Sequence, residues 1–478
     1  MDVQPSPTPP LPEADFVRYP LLQALLARRS RRFALGARLN GGPLAYASAH
    51  PPCPLSLEEE AALAFAACGI TGSTLAELPY ASGPVPEAGS GNIIASFIGR
   101  TVASPDALHP VILCVLNDDG CWMLKRPQDY APGEVATLRA AAQAHRLVEL
   151  YQTARVPLAT HRPDVPRTIP FVPAFNKWSA NRPGSTYFLP IAELTALYIN
   201  VLLTAFDHEH GYFVVDERNR YRPAGLARFG RSRGGHLYDA PTAGRYATIS
   251  FIDTWMDEFA AIEQGGMLQN LALMAEALGL GGFTHFAAHP FIWCQTLGFR
   301  MLDLPVSRSM GAGPVMTGLL RLLRRDIPLP TPVGLERDGT VLVKPFCPPY
   351  YRSMEEAVLA FVDAKYAPGT GTLRDGGTAT AWREGPAVQA GIPRPSDQAI
   401  AATMAYTAYV HRRYGRFPAN SGPFRTVEAY QAHHLDADFY DRFYQADAVP
   451  ARQRSHLERW HAADGSDAGP QQGTATAP

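Results

Sequence analysis

Pro110-Val-Ile-Leu-Cys-Val-Leu-Asn-Asp-Asp-Gly-Cys-Trp-Met-Leu-Lys125 decides the fold class. Val111 to Leu116 is an unbroken apolar run, which suits a strand covered on both faces. Asn117-Asp-Asp-Gly120 bounds it with residues that favour a tight turn. A hairpin is therefore expected, with residues 121–125 as the returning strand. Outward from this hairpin the spacing turns helical. Residues 19–29 carry Leu21, Leu22, Leu25 and Leu26 on one helical period. Ser56 followed by Glu59 is a capping box, opening a helix that runs through the alanines of 61–67 and stops near Gly69. Residues 251–280 read as a long helix with a break at Gly265-Gly266, and Leu268, Leu271, Ala275 and Leu278 line one face after it. Residues 330–344 are strand-like, and 355–366 and 396–414 are further helices. The class is α+β, a mixed sheet with helices packed on it.

A chain of 478 residues suits two or three structural units. Its 46% hydrophobic and 18% charged residues fit a globular protein. Lys+Arg 43 against Asp+Glu 44 gives no general attraction to nucleic acid or anionic membrane. The proline-rich start, residues 1–12, lacks the apolar core of a signal peptide, and no run of ~18 apolar residues suggests a membrane span. Six scattered cysteines (Cys53, Cys68, Cys114, Cys121, Cys294, Cys347) form no CxxC pair, so buried free thiols in a reducing compartment are expected. A cytoplasmic location follows. Residues 1–13 and 462–478 read as flexible tails, and 367–395 as a loop-like stretch.

Three segments carry candidate chemistry. Arg28-Arg-Ser-Arg-Arg32, followed by Phe33, offers guanidiniums and a hydroxyl of the kind a phosphate needs. The same residues also suit a solvated basic helix end. Arg100-Thr-Val-Ala-Ser-Pro-Asp-Ala-Leu-His-Pro110 is a Ser-Pro turn whose small Ala103 and Ala107 leave room for a flat ligand, or a plain loop before a strand. Asp106 there pairs with Arg100 or faces solvent. Gly266 to Gly281 is an amphipathic helix ending in glycines, where an ordinary C-cap is the simpler reading. Asp207-His-Glu-His210 reads as surface histidines. Gln431-Ala-His-His-Leu-Asp-Ala-Asp438 has the residue types of a metal site, but helix capping and surface ion pairs account for it as well. Phe439, Tyr440, Phe443 and Tyr444 follow at helical spacing and read as packing.

In this order four pieces resemble the nitroreductase-like FMN-dependent oxidoreductases, nearest to their azoline dehydrogenase branch. They are the arginine segment, Pro54-Leu-Ser-Leu-Glu-Glu-Glu60 with Ala67-Cys-Gly-Ile-Thr-Gly72, the turn at 100–110, and Gln269-Asn270 through Gly279-Leu-Gly281. Two features depart from the family: the second arginine and the aromatic are usually one position further along, and Asp106 stands where glycine is common. The resemblance implies FMN, with Arg28, Arg29, Ser30 and Arg32 on its phosphate. It places Ser104, Ala107 and His109 at the flavin, flanked by Asn270, Gly279, Leu280 and Gly281. It implies hydride transfer through flavin N5, NAD(P)H as a candidate donor, and a small-molecule or modified-peptide substrate. It further implies a homodimer packed through the helix at 267–280. Under it, residues 14–344 form the flavin domain, 134–245 an insertion, and 345–461 a C-terminal helical extension. Two other readings stay open: a ring-oxidising enzyme of peptide modification, and a flavin-free binding module that kept the fold.

Overall fold

The computed structural model describes residues 14–77, 93–131, 133–286, 288–376 and 380–463. The expected tails, apart from residues 462 and 463, lie outside them. The hairpin forms as expected. Strand β1 (Val111–Asn117) pairs antiparallel with β2 (Gly120–Leu124), with Asn117 opposite Gly120. Asn117 Oδ1 accepts from the backbone N–H groups of Asp119 (2.9 Å) and Gly120 (3.2 Å), which locks the turn. Four further strands join this pair: β3 (Arg155–Ala159), β4 (Ser185–Glu193), β5 (Gly281–Phe286) and β6 (Glu428–His433). Their order is β5-β6-β4-β1-β2-β3, with the short strand Phe424–Arg425 also on β4. Val111, Leu113 and Val115 enter one apolar core, while Ile112, Cys114 and Leu116 enter a second with Tyr187 and Trp293. Both faces of β1 are covered, so its residues have no reason to alternate with polar ones.

Eight helices matter for the site: α1 (Leu21–Ala27), α2 (Leu57–Cys68), α3 (Leu194–Ala205), α4 (Ile249–Leu278), α5 (Met354–Tyr366), α6 (Asp397–Tyr414), α7 (Ala437–Phe443) and α8 (Ala451–Ala463). The capping box of α2 is present, with Ser56 N donating to Glu59 Oε2 at 2.8 Å and Glu59 N to Ser56 Oγ at 3.2 Å. Helix α4 runs unbroken through Gly265-Gly266. A Cβ on Gly266 would fall 2.8 Å from Val102 Cγ2, so this glycine admits a neighbouring loop rather than ending the helix.

Three expectations are corrected. Every pairing in the main sheet is antiparallel, not mixed. Among the described strands a parallel pair occurs only in a small separate sheet, between Phe213–Asp216 and Tyr246–Thr248. Long connections let each strand enter from either end, so helices between strands do not require parallel crossovers. Next, residues 134–245 are no peripheral insertion. They supply β3, β4 and the buried α3, and β4 lies between β1 and β6. The segment 345–461 is no appended extension either, because its β6 separates β4 from β5. Motif spacing is local, whereas strand pairing here joins residues far apart in sequence. Finally, Met267, Leu268, Leu271 and Leu278 are buried within the single chain, against α1, α2, α8 and the sheet. That face of α4 has no area left for a second copy.

Among the described residues no helix is long and apolar enough to cross a membrane. Five cysteines are buried and free, as expected, whereas Cys53 is partly exposed.

Candidate functional site

Helix α1 stops where Arg28 leaves helical geometry, with ψ at 116°. The chain then runs beside β5, and Arg31 N donates to Gly282 O at 3.2 Å. This joins the arginine segment to the end of the glycine turn. The arginines divide by role. Arg31 turns inward: its Nη1 donates to Glu276 Oε1 at 2.8 Å, its Nε to Ala448 O at 2.8 Å and its Nη2 to Ala27 O at 3.1 Å. Glu276 also accepts from Arg29 N (3.0 Å) and Gln453 Nε2 (2.7 Å). Arg32 lies 5.0 Å from the Trp178 ring centroid and 4.7 Å from that of Phe283. Its Nη2 donates to Phe175 O, Asn176 Oδ1 and Ser179 Oγ, while its buried Nε has no hydrogen-bond partner among the described residues. Arg28, Arg29 and Ser30 are exposed.

The late candidates serve packing. Asn270 Nδ2 donates to Ala66 O (3.0 Å) and Thr101 O (3.2 Å), tying the end of α2 to a loop. Gly279 closes α4 at φ 88°, and a Cβ there would fall 2.7 Å from His456 Cβ. Leu280 is buried, and a Cβ on Gly281 would fall 2.9 Å from His433 Nε2.

The turn before β1 is also committed internally. Ser104 Oγ donates to Glu263 Oε2 at 2.7 Å and accepts from His109 N at 3.0 Å. The His109 ring reaches Ile98 O at 2.6 Å through Nε2, and Ala107 O accepts from Ser96 Oγ at 2.6 Å. Asp106, Ala107 and His109 all hold positive φ (58°, 52° and 52°), which explains why a glycine would suit this turn. Asp106 accepts from Asn200 Nδ2 at 2.8 Å, while Arg100 faces Glu263 at 3.6 Å instead. The turn and the arginines contact α4 at Glu263 and Glu276, 13 residues apart. At ~1.5 Å per residue that is about 20 Å along one helix. The arginines are not among the residues that line the cleft beside this turn.

Leu108 and Pro110 instead border a cleft of about 340 Å³ with Glu193, Phe346 and Lys365. Lys365 Nζ donates to Asn200 Oδ1 at 2.6 Å, and burial pushes its ammonium from 10.5 down to about 7. Between those pH values the unfolded chain holds the proton and the folded chain does not, so stability rises with pH across that window. Lys365→Met should flatten this rise in urea melts taken between pH 7 and 10. An unchanged slope in the variant would assign the rise to other groups.

A second polar centre was only half legible in the sequence. His433 and His434 are buried, which corrects the expectation of surface ion pairs for the two histidines. Asp436 caps α7 through Phe439 N (3.0 Å), as expected of one of these residues, and Asp438 pairs with His50 at 3.2 Å. The partners of His434 lie elsewhere: its Nδ1 is 3.1 Å from Cys53 Sγ and its Nε2 is 3.1 Å from Glu59 Oε2. His456 Nε2 approaches Glu59 Oε1, also at 3.1 Å. Burial opposes charge on Glu59, yet the two imidazoles hold its carboxyl well below the usual range. Burial likewise opposes charge on His434, but the Glu59 carboxylate outweighs it and lifts the imidazole to about 9. Glu59 was recognised only as a capping residue, and His456 gave no sequence signal beyond its type. His208 and His210 show no comparable grouping; His210 pairs with Asp207 at 3.1 Å near the surface.

No protein-family model matches this chain, and no curated protein matches it. Among solved structures it aligns with a protein from Ralstonia eutropha JMP134, provisionally described as a nitroreductase, at 12% identity and a TM-score of 0.28. The alignment covers 62% of this chain and 81% of that one. A likeness at that level carries no argument about this chain's fold or activity.

Proposed function

We propose that the chain is an FMN-dependent oxidoreductase of the nitroreductase kind, with the cofactor's phosphate held by Arg28, Ser30 and Arg32. One juxtaposition supports this reading. The backbone of the arginine segment runs beside the start of β5 at Arg31 and Gly282, which brings the segment next to the end of the glycine turn. Arg28 and Ser30 are exposed, and the buried Arg32 Nε lacks a partner that a phosphate oxygen would provide. The rings of Trp178 and Phe283 both lie within cation–π range of the Arg32 guanidinium. Arg31 is excluded from the phosphate site because Glu276 holds it inside. A bound flavin supplies hydride transfer itself. The protein's part is to neutralise the phosphate and fix its position. Ser104, Ala107 and His109 are left out of the reading, and with them goes the argument for an azoline-ring substrate. In a dimer of this kind, the exposed Leu21, Leu22, Leu25 and Leu26 of α1 are the apolar surface offered to a second copy.

The test is FMN titration of the full chain by fluorescence quenching. A charge-assisted phosphate contact contributes ~1.5–3 kcal/mol, so Arg28→Ala/Arg32→Ala should weaken binding by roughly tenfold or more. Wild-type protein that binds no FMN would leave the flavin-free binding module as the better reading.

A further inference from the structure

We propose that Glu59, His434 and His456 form a binding site for one divalent transition-metal ion of the zinc class, joining α2, the end of β6 and α8. The ligand atoms all lie within 4.8 Å of one another, and each imidazole Nε2 is 3.1 Å from a carboxylate oxygen. Zinc bonds of ~2.0–2.1 Å in tetrahedral geometry put neighbouring ligand atoms about 3.3 Å apart, so little rearrangement is needed. Glu59 is wholly buried, and its Oε1 has no aligned hydrogen bond. A buried carboxylate needs positive charge against it, which an imidazolium or a metal ion can supply.

The groups around the three ligands set their orientation. The Ser56 backbone N–H donates to Glu59 Oε2 and fixes the carboxylate at the first turn of α2. Cys53 Sγ contacts His434 Nδ1, which turns Nε2 toward Glu59; a partner on the far ring nitrogen is the usual device for aiming a ligating imidazole. Gly279 lets α8 approach closely enough to bring His456 in, since a Cβ there would collide with His456 Cβ. Two imidazoles and one carboxylate suit zinc, cobalt or iron rather than calcium or magnesium, which prefer all-oxygen shells. Because the ligands come from three separate elements, the bound ion would stabilise the folded state directly. This site is independent of the flavin reading, which uses none of its three ligands.

The experiment loads the full chain, stripped with a chelator, with cobalt(II) or zinc. One ion per chain is expected by elemental analysis, with cobalt(II) giving the visible spectrum of a tetrahedral site and no thiolate charge-transfer band. Glu59→Gln keeps a residue able to complete the capping box, so it tests the ion and not the helix start. Glu59→Gln and His456→Gln should each weaken cobalt affinity more than ~100-fold, beyond the range for losing an outer-sphere contact. His208→Ala/His210→Ala should leave it unchanged. Should the ligand variants fail to fold, the wild-type chain still decides: adding zinc back to stripped protein must raise its Tm. Substoichiometric binding, affinity unchanged in His456→Gln, or a Tm indifferent to zinc would each overturn the proposal and leave an ion-pair cluster.

Discussion

Arg31→Ala is expected to destabilise the protein by ~3–5 kcal/mol, the range for stripping a buried ion of its partner. Arg31 and Glu276 side chains are both 3% exposed, and their nitrogen and oxygen are 2.8 Å apart. Deleting the guanidinium leaves the Glu276 carboxylate with Gln453 Nε2 and Arg29 N as its donors among the described residues. It also removes the Arg31 donors from Ala448 O and Ala27 O, loosening the turn before α8 and the end of α1. Arg28→Ala, three residues away and exposed, should change stability by no more than ~0.5 kcal/mol. Chemical denaturation of the two variants side by side makes the comparison. A loss below about 1 kcal/mol in Arg31→Ala would mean that water reaches Glu276, and the structural assignment of Arg31 would fall. The contrast also guards the flavin experiment, because only Arg28 and Arg32 lose phosphate contacts without removing this clamp.

Asp216→Ala should cost a similar ~3–5 kcal/mol, for a different reason. Asp216 ends a strand inside the segment first read as an insertion, and it is fully buried. It accepts from Tyr409 Oη and Tyr414 Oη, both at 2.7 Å, and from the backbone N–H groups of Arg218 (3.0 Å) and Asn219 (3.1 Å). Arg413 contacts it at 2.8 Å. Both tyrosines and this arginine belong to α6, in the segment first read as an extension. Removing the carboxylate orphans donors on both sides of that contact. If the two segments are one cooperative unit, as the shared sheet implies, the variant unfolds in one transition at lower denaturant. Two resolved transitions would restore the view of separable pieces.

How much of this was legible beforehand varies with the range of the interaction involved. The hairpin at 110–125 was readable because a continuous apolar run and an Asn-Asp-Asp-Gly turn act within a few residues. The capping box of Ser56 and Glu59 was readable for the same reason. The break at Gly265-Gly266 was misread because the residue that requires a small side chain, Val102, lies far back in the sequence. Helix propensity alone penalises a glycine and says nothing of a loop that must pass close by.

The candidate site shows the same division. Sequence determined that positive charge gathers at residues 28–32 and that His433-His434 stands near carboxylates. It also fixed that the glycines after residue 278 end a helix. Those are properties of neighbours, set by covalent order. Only the tertiary structure decided that Arg31 is spent on Glu276 while Arg28 faces out, and that Ser104 and His109 bond within their own surroundings. It alone decided that His434 meets Glu59 and His456 rather than Asp436 and Asp438. The reason is physical. A buried charge or donor takes whichever partner the packing of distant strands and helices brings within about 3 Å, and sequence separation does not limit that choice.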